Sequence, residues 1–209
     1  MNPRHSKLSR ELIIKEAFAL LDEYGEDEFS MRNIAQRLNV KAMSLYNHVR
    51  SKEDLLDGIV EIITCEVRIP QPSADWKLDL RNVALSFYEI LLRHPNVLPI
   101  ISTHSPITEK GIEQVERLLL ILKDTNMSGQ EAFSLLHIII AYVIGHAEIS
   151  ITNNQASEVR SVKFDLQKFP NVYTVYLELN KRNCKNEFLY GLDLLLDGLS
   201  KKNLEREEN

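Results

Sequence analysis

The stretch "FSMRNIAQRLNVKAMSLYNHVRSKEDLL", residues 29–56, decides the fold of the N-terminal part of the chain. Its first 24 residues, 29–52, contain no Asp or Glu, although the whole chain has a formal net charge of −5. The same residues contain five basic side chains, Arg32, Arg37, Lys41, Arg50 and Lys52. Because a partner responds to the local potential rather than to the net charge, this segment can face a polyanion.

The apolar residues of this stretch follow the spacing of a helix-turn-helix. Counted from Met31, small Ala35 falls at the fifth position, where two helices approach closely, and Asn39 falls at the ninth. Asn is one of the few residues that accept the left-handed conformation of a tight turn. Apolar side chains occupy the fourth, eighth, tenth and fifteenth positions, which are Ile34, Leu38, Val40 and Leu45. The pattern predicts one helix over residues 31–38 and another over residues 40–49.

Capping signals place longer helices on both sides of this pair. "SRELIIKEAFALLDEYG", residues 9–25, is amphipathic, with Ser9 as N-cap and Gly25 at the end. Ser51 followed by Asp54 is a variant of the capping box and opens a fourth helix. This order predicts a helical DNA-binding unit near the N-terminus.

A proline-containing segment, "RIPQPSAD" at residues 68–75, marks the best domain boundary. We predict a helix-turn-helix domain over residues 1–52, a connecting helix over about 52–67 and a larger helical domain over residues 68–209. In the larger domain, Asp75 and the pair Ser128 and Glu131 are capping signals. Pro170 is expected to start a further helix. Pro99 is expected to break a short apolar helix, and residues 186–202 are expected to form the last helix. No alternating strand pattern occurs, so the predicted fold class is all-α.

The composition excludes several classes of protein. The first ten residues have no apolar core of a signal peptide. Polar residues interrupt the apolar region 135–151, which we expect to be too short to span a membrane. Cys65 and Cys184 form neither a metal-binding spacing nor a disulfide framework. We therefore expect a reduced, cytoplasmic protein without a metal or a cofactor.

The stretch resembles the DNA-binding module of the tetracycline-repressor (TetR) family. The residues that carry the resemblance are "NVKAMSLYNHVRSKEDLL", above all Leu45-Tyr46, His48-Val49 and Lys52. The resemblance continues in "DWKLDLRNVALSFYEILLRHP" and "AYVIGHA" and is strong again in "FLYGLDLLLDGL". It covers nearly the whole chain and implies a ligand-responsive repressor with the C-terminal domain of the tetracycline repressors.

The third helix offers donors, small groups and one aromatic ring, without a carboxylate to repel phosphate. The resemblance implies that Arg32 reaches a base edge or a phosphate. It implies base contacts in the major groove for Lys41, Ala42, Met43, Ser44 and Asn47, and phosphate contacts for Tyr46, His48 and Lys52. Core packing is the alternative for Tyr46, and capping or packing is the alternative for His48.

One small module gives little affinity, so we expect a homodimer that reads two half-sites of a palindromic operator, about 34–36 Å apart. In the family, the eighth and last helices of two subunits form a four-helix bundle. The last helix here offers more apolar surface than its own core requires, in Phe188, Leu192, Leu195, Leu196 and Leu199. Filling of the intrachain core is the alternative for these residues.

The resemblance also implies a small-molecule effector site in the larger domain. Where tetracycline-binding relatives place drug and magnesium contacts, this chain has Val83, Ile101 and Leu118. Aliphatic side chains cannot coordinate a hard cation, so tetracycline–magnesium is not the expected effector. The scattered polar candidates are Asn82, Ser86, His104, His137 and Tyr142, each of which can equally be a hydrogen-bonded core residue. We expect a largely apolar effector with few polar anchors.

The expected mechanism is a population shift, in which the effector tilts the fourth helix and changes the separation of the two recognition helices. Such coupling is typically about 1–3 kcal/mol. Two alternatives stay open: a DNA-binding protein controlled by a protein partner, and an all-helical enzyme. The sequence contains no Gly-rich phosphate loop, no His-Glu-x-x-His pair and no nucleophile elbow, so we expect no catalytic residues.

Overall fold

The structure is a computed structural model that describes residues 8–104, 108–156, 168–179 and 183–207. Across these residues the regular elements are α-helices and two short 3₁₀ turns, Glu26–Glu28 and Pro95–Val97, which confirms the all-α prediction. The α-helices are Arg10–Tyr24 (α1), Met31–Arg37 (α2), Ala42–Leu45 (α3), Lys52–Glu66 (α4), Trp76–Arg93 (α5), Leu98–Thr103 (α6), Glu109–Ile121 (α7), Gly129–Ala156 (α8), Pro170–Leu179 (α9) and Cys184–Glu207 (α10).

The N-terminal helices begin and end where their capping residues predict. Ser9 Oγ accepts a hydrogen bond from Leu12 N at 3.3 Å at the start of α1. Gly25 follows the helix with a φ of 76°, a conformation that favours glycine. Asn39 has a φ of 53°, which confirms the left-handed turn between α2 and α3. The ends of α1 and the turn between α2 and α3 are therefore set by residues close in the sequence.

The third helix is shorter than residues 40–49, which corrects that prediction. Regular α-helix covers only Ala42–Leu45, and the residues that follow form turns. His48 N and Val49 N both donate to Leu45 O, at 2.9 Å and 3.0 Å. The chain therefore stays compact to Val49 but tightens after one helical turn.

Two further predictions about capping have different outcomes. Ser128 and Glu131 form the reciprocal capping box: Ser128 N donates to Glu131 Oε2 at 3.0 Å, and Glu131 N donates to Ser128 Oγ at 3.3 Å. Ser51 Oγ accepts from Asp54 N, but the Asp54 carboxylate accepts from Arg50 N instead of Ser51 N. The second box is therefore displaced by one residue.

Pro99 does not break a helix, contrary to the prediction. It lies in the first turn of α6, where its missing N–H removes no intrahelical hydrogen bond. The preceding 3₁₀ turn, Pro95–Val97, changes the chain direction after α5. Pro99 is therefore the second residue of α6, which begins at Leu98.

The buried apolar residues form one cluster that extends from α1 to α10, with α5 packed against α8 at its centre. Tyr88 of α5 and Phe188 of α10 stack with ring centroids 4.1 Å apart. Tyr142 of α8 donates from its hydroxyl to Phe188 O at 2.9 Å. Aromatic packing at short range therefore joins the three long helices of the larger part of the chain.

Helix α8 is apolar on both its buried and its exposed sides. Its segment Gly129–Thr152 is long and apolar enough to cross a membrane, by length and composition only, and a third of its most apolar 18 residues are buried. The capping box of Ser128 and Glu131, predicted from the sequence, starts this helix at Gly129. Helix α8 therefore contributes apolar side chains to the core and also exposes Phe133, Ile138, Ile140 and Ile149.

Candidate DNA interface and effector site

The surface around α3 consists of exposed side chains, and buried apolar residues lie beneath it. Met43 is 75% exposed and Tyr46 is 49% exposed, whereas Leu45 and Val49 are buried. The other candidates at this surface are Arg32, Lys41, Asn47, His48 and Lys52, which are exposed, and Ala42 and Ser44, which are half-buried. Seven of the nine predicted DNA-contacting residues are therefore exposed: five lie on α3 or directly beside it in the chain, Arg32 lies near the start of α2, and Lys52 is the first residue of α4.

Close packing fixes this surface to the rest of the protein. Ile34 and Ala35 of α2 are buried beneath it, together with Leu45. Gly58 of α4 lies so close to Ile14 of α1 that a Cβ at Gly58 would overlap the Ile14 side chain. This close approach of α1 and α4 makes the three N-terminal helices and the start of α4 one packed unit.

Arg37, one of the five basic side chains of the acid-free stretch, forms ion pairs with two glutamates of α1. Arg37 Nη1 donates to Glu23 Oε2 at 2.9 Å, and Arg37 Nε lies 3.5 Å from Glu16 Oε2. The hydrogen bond to Glu23 raises the pKa of Arg37 and lowers the pKa of Glu23. Arg37 therefore connects α2 to α1, while Arg32 and Lys41 form no ion pair with the described residues.

Lys52 and Asp54 organise the start of α4. Lys52 Nζ lies 5.3 Å from the centroid of the Phe29 ring, a cation–π distance. Asp54 accepts from Arg10 Nη2 at 2.6 Å and from Arg50 N at 2.9 Å. Burial raises the pKa of Asp54, but the hydrogen bonds from Arg10 and Arg50 outweigh burial, so the net pKa is lowered. The carboxylate stays ionised and fixes the chain between Val49 and α4.

A cavity of about 340 Å³ contains two of the predicted effector residues, Asn82 and Ser86. They lie on successive turns of α5 and face the segment between α4 and α5, residues 67–75, which we call the connector. Ser86 Oγ accepts a hydrogen bond from Arg68 N at 3.1 Å. The remaining lining residues are Arg68, Ile69, Pro70, Leu85 and Glu89. The volume lies at the lower end of the range of small-molecule sites.

The other predicted effector residues are not gathered at this cavity. Val83 and Ile101 are buried, and Leu118 is half-buried in the core. His104 is half-buried, with Nδ1 3.0 Å from Thr103 Oγ1. Tyr142 belongs to the aromatic packing against Phe188, and its hydroxyl is already bonded there.

His137 lies on the exposed side of α8, away from the lining residues of the cavity. The sequence could not distinguish the two sides of α8, because both sides are apolar. Among the described residues, no group of three His, Cys, Asp or Glu side chains is placed to hold a metal ion.

The connector supplies residues that the sequence did not indicate. Arg68, Ile69 and Pro70 line the cavity, although they were interpreted only as a domain boundary. Glu89 closes one side, with Oε1 2.7 Å from Lys185 Nζ and Oε2 3.9 Å from Arg68 Nη2. No local motif distinguishes such residues, because the connector meets α5 only in the folded chain.

Several large apolar side chains of α8 and α10 are exposed. They are Phe133 and Ile140 on one side of α8, Ile138 and Ile149 on another side of α8, and Tyr190 and Leu194 on α10. Phe188, Leu192 and Leu196 of α10 are instead buried in the core of their own chain. This corrects the residues expected to supply partner surface; Leu195 is half-buried, and the Leu199 side chain lies outside the described residues.

A capped first helix, a short second helix, a left-handed turn and an exposed third helix without carboxylates define a helix-turn-helix DNA-binding regulator. Comparison with known proteins agrees with this class. The family "Bacterial regulatory proteins, tetR family" matches residues 13–59, and "Tetracyclin repressor-like, C-terminal domain" matches residues 69–203. The chain belongs to the tetracycline-repressor family and is a DNA-binding, ligand-responsive transcriptional repressor of that family.

Individual relatives show the extent of the similarity. Tetracycline repressor protein class D of Escherichia coli is 28% identical over 196 residues, 92% of this chain and 89% of that protein. Apo ActR from Streptomyces coelicolor has the same fold, with 24% identity, a TM-score of 0.81, and coverage of 96% of this chain and 99% of that chain. A TetR variant from Acinetobacter baumannii AYE in complex with minocycline is 26% identical, with a TM-score of 0.72 and coverage of 94% and 99%.

Proposed function

We propose that this repressor binds a palindromic operator as a homodimer, with α3 of each subunit in the major groove. The observation that supports this proposal most strongly is the exposed surface around α3, where Lys41, Asn47 and Met43 stand on buried Leu45. Base-edge contacts from such a helix select sequence, whereas Tyr46 and Lys52 at its far end suit phosphate contacts. A repressor of this kind works where the genomic DNA lies, in the cytoplasm.

The domain organisation follows the same proposal. Residues 1–52 bind DNA, α4 connects, and residues 68–209 bind the effector and form the dimer. We place the interface on α8 and α10, which contact each other and carry exposed apolar side chains such as Ile149 and Leu194. Ala141 and Gly145 are small residues on the same face of α8, and they let a second helix approach closely.

We assign the effector to the cavity between the connector and α5. Ile69, Pro70 and Leu85 offer an apolar wall, and Asn82 and Ser86 offer two polar anchors. The charged side formed by Arg68 and Glu89 adds polarity that an apolar effector alone does not require. The effector therefore combines an apolar body with at least one hydrogen-bonding edge.

Switching follows from the position of this cavity. Arg68 and Ile69 come directly after α4, whose first turn packs on the DNA-binding helices. A molecule that separates the connector from α5 acts on the C-terminal end of α4 and shifts the population between two spacings of α3. An effector that prefers the spacing unsuited to the operator releases the DNA.

The DNA-binding proposal is tested with duplexes selected from random sequences by the purified protein. Tyr46→Ala with Lys52→Ala should weaken binding to all duplexes, because phosphates are common to every sequence. Asn47→Ala should change the preference at one or two base pairs. Equal, sequence-independent losses for all three substitutions would show that α3 does not enter the major groove.

The effector proposal is tested by a compound screen that scores release of the selected duplex. Leu85→Trp fills the cavity and should abolish the response to the compounds found while keeping DNA binding. Leu78→Trp is the matched control, because Leu78 is exposed on the same helix outside the cavity. A Leu85→Trp variant that still responds fully would place the effector elsewhere.

A further inference from the structure

The turn between α5 and α6 contacts the end of α1 through one residue, Asp22. His94 Nδ1 lies 2.9 Å from Asp22 Oδ2, and Asn96 Nδ2 donates to Asp22 O at 2.8 Å. Because an ionised carboxylate only accepts hydrogen bonds, His94 Nδ1 is the donor in the first contact. These two contacts, made by His94 and Asn96 to Asp22, are called the Asp22 clasp below.

The Asp22 clasp joins residues that are more than 70 positions apart in the chain. Asp22 lies in the last turn of α1, where backbone carbonyls have no intrahelical partner, and Asn96 supplies one. His94 also contacts Phe18, one turn earlier, with ring centroids 5.2 Å apart at 60°. The turn therefore contacts α1 at two places, the polar groups of Asp22 in its last turn and the ring of Phe18 one turn earlier.

The Asp22 clasp lies between the DNA-binding helices and α6 of the larger domain. On one side, Glu23 follows Asp22 and pairs with Arg37, which lies at the end of α2 immediately before the turn to α3. On the other side, α6 begins two residues after Asn96 and is packed against α4 and α8. These contacts connect α6 to α1 by a route that does not pass along α4.

One carboxylate oxygen of Asp22 lacks a hydrogen bond within the described part of the chain. Asp22 Oδ1 is buried and accepts no hydrogen bond from the described part of the chain. A buried acceptor without a protein partner reduces the stability of the arrangement that contains it. The clasp can therefore be released at a smaller cost than a contact in which both carboxylate oxygens are bonded.

We propose that the Asp22 clasp is a second coupling element, which holds the DNA-binding helices at the operator-matching angle and releases them when α6 moves. His94 and Asn96 are positioning residues in this proposal, because they act on DNA through α1. The proposal rests on the operator binding proposed above, and it goes beyond it by assigning a regulatory contact outside α4.

The test compares the full-length double variant His94→Ala with Asn96→Ala against Ser73→Ala with Asp75→Ala. The control pair lies at the opposite end of α5 on an exposed surface, where Asp75 N donates to Ser73 Oγ at 3.2 Å and Leu78 N donates to Asp75 Oδ1 at 3.0 Å. Two readouts are measured: affinity for the duplex selected by the unmodified protein, and the distance between spin labels on the two subunits of the DNA-free dimer. The labels are attached at Gln36→Cys, an exposed position of α2, after Cys65→Ser and Cys184→Ser.

The clasp variant should lose about 5- to 150-fold in operator affinity, the usual size of a coupling effect, and its distance distribution should broaden. The control should change neither readout, even if it lowers the thermal midpoint to a similar degree. Affinity and distances equal to the control would overturn the proposal. If the double variant does not fold, Asn96→Ala alone is tested by the same two readouts. Failure of the unmodified protein to select any duplex would instead contradict the proposed operator binding.

Discussion

Asp54 shows how a single side chain serves both the fold and the DNA-facing surface. Its carboxylate accepts from Arg10 of α1 and from the backbone N–H of Arg50, just before α4. The sequence predicted Asp54 only as a capping partner of Ser51. The ion pair with Arg10 could not be predicted, because 44 residues separate the two positions.

The Asp54→Asn variant should lose about 1 kcal/mol of unfolding free energy at neutral pH, the scale of a partly exposed ion pair. The pKa of Asp54 is lower in the folded than in the unfolded chain. Its contribution is therefore complete above the ordinary pKa of the carboxyl and disappears as pH falls through the folded-state pKa. Urea unfolding of both proteins at neutral and acidic pH should show the difference shrinking in acid.

The control for this prediction is Asp197→Asn, which removes an exposed carboxylate paired with Lys77. Its effect should be smaller at neutral pH, because solvent screens the pair. A difference between Asp54→Asn and the unmodified protein that stayed constant in acid would contradict the assigned ionisation.

At the scale of the element, the crossing of α8 and α10 depends on a glycine. A Cβ at Gly191 would overlap the hydroxyl of Tyr142, which donates to Phe188 O. The pattern of the last helix predicted a helix but did not show which neighbour Gly191 faces. Tyr142 was predicted as an effector contact, and the structure instead places its hydroxyl at this crossing.

Gly191→Ala should lower the unfolding free energy by about 1–3 kcal/mol, as expected for overpacking. Adding Tyr142→Phe removes the overlapping hydroxyl, so the double variant should recover part of that loss. The measurement is a double-mutant cycle from denaturant unfolding.

Gly198→Ala is the matched control on the same helix, because a Cβ there meets no atom within 4 Å. It should be neutral or stabilise by up to about 1 kcal/mol, since Ala has the higher helix propensity. Additive effects in the Gly191 and Tyr142 cycle would argue against the close contact.

At the scale of the whole molecule, the exposed apolar side chains of α8 and α10 form the dimer interface that we propose. A charge in this interface would be buried on association without a partner. Ile149→Glu together with Leu194→Glu should therefore give a monomer in sedimentation experiments and weaken operator binding at least about tenfold, since two half-sites are no longer read together.

Ile112→Glu on α7 is the control for the assembly, because Ile112 is equally exposed but lies on a different helix. It should leave both the dimer and the operator affinity unchanged. A doubly substituted α8/α10 variant that remained dimeric would place the interface on another surface.

Local signals in the sequence were sufficient for the helix-turn-helix and for most helix ends. Ser9, Gly25 and Asn39 act on their own backbone within four residues, so their effects can be predicted without the rest of the chain. Periodicity likewise predicted that Ile34 and Ala35 of α2 are buried. The short span of α3 was missed, because helix and successive turns bury Leu45 and Val49 with similar spacing.

The tertiary structure alone decided which polar and apolar groups meet. Arg37 belonged to a basic stretch in the sequence, yet α1 neutralises it. The connector, predicted only as a domain boundary, lines the cavity. Phe188, predicted to be exposed for a partner, is buried, whereas Tyr190 is exposed. The physical reason is the same in each case: capping and helix periodicity are local, whereas ion pairs, cavities and the side of an apolar helix that remains uncovered depend on how distant helices pack.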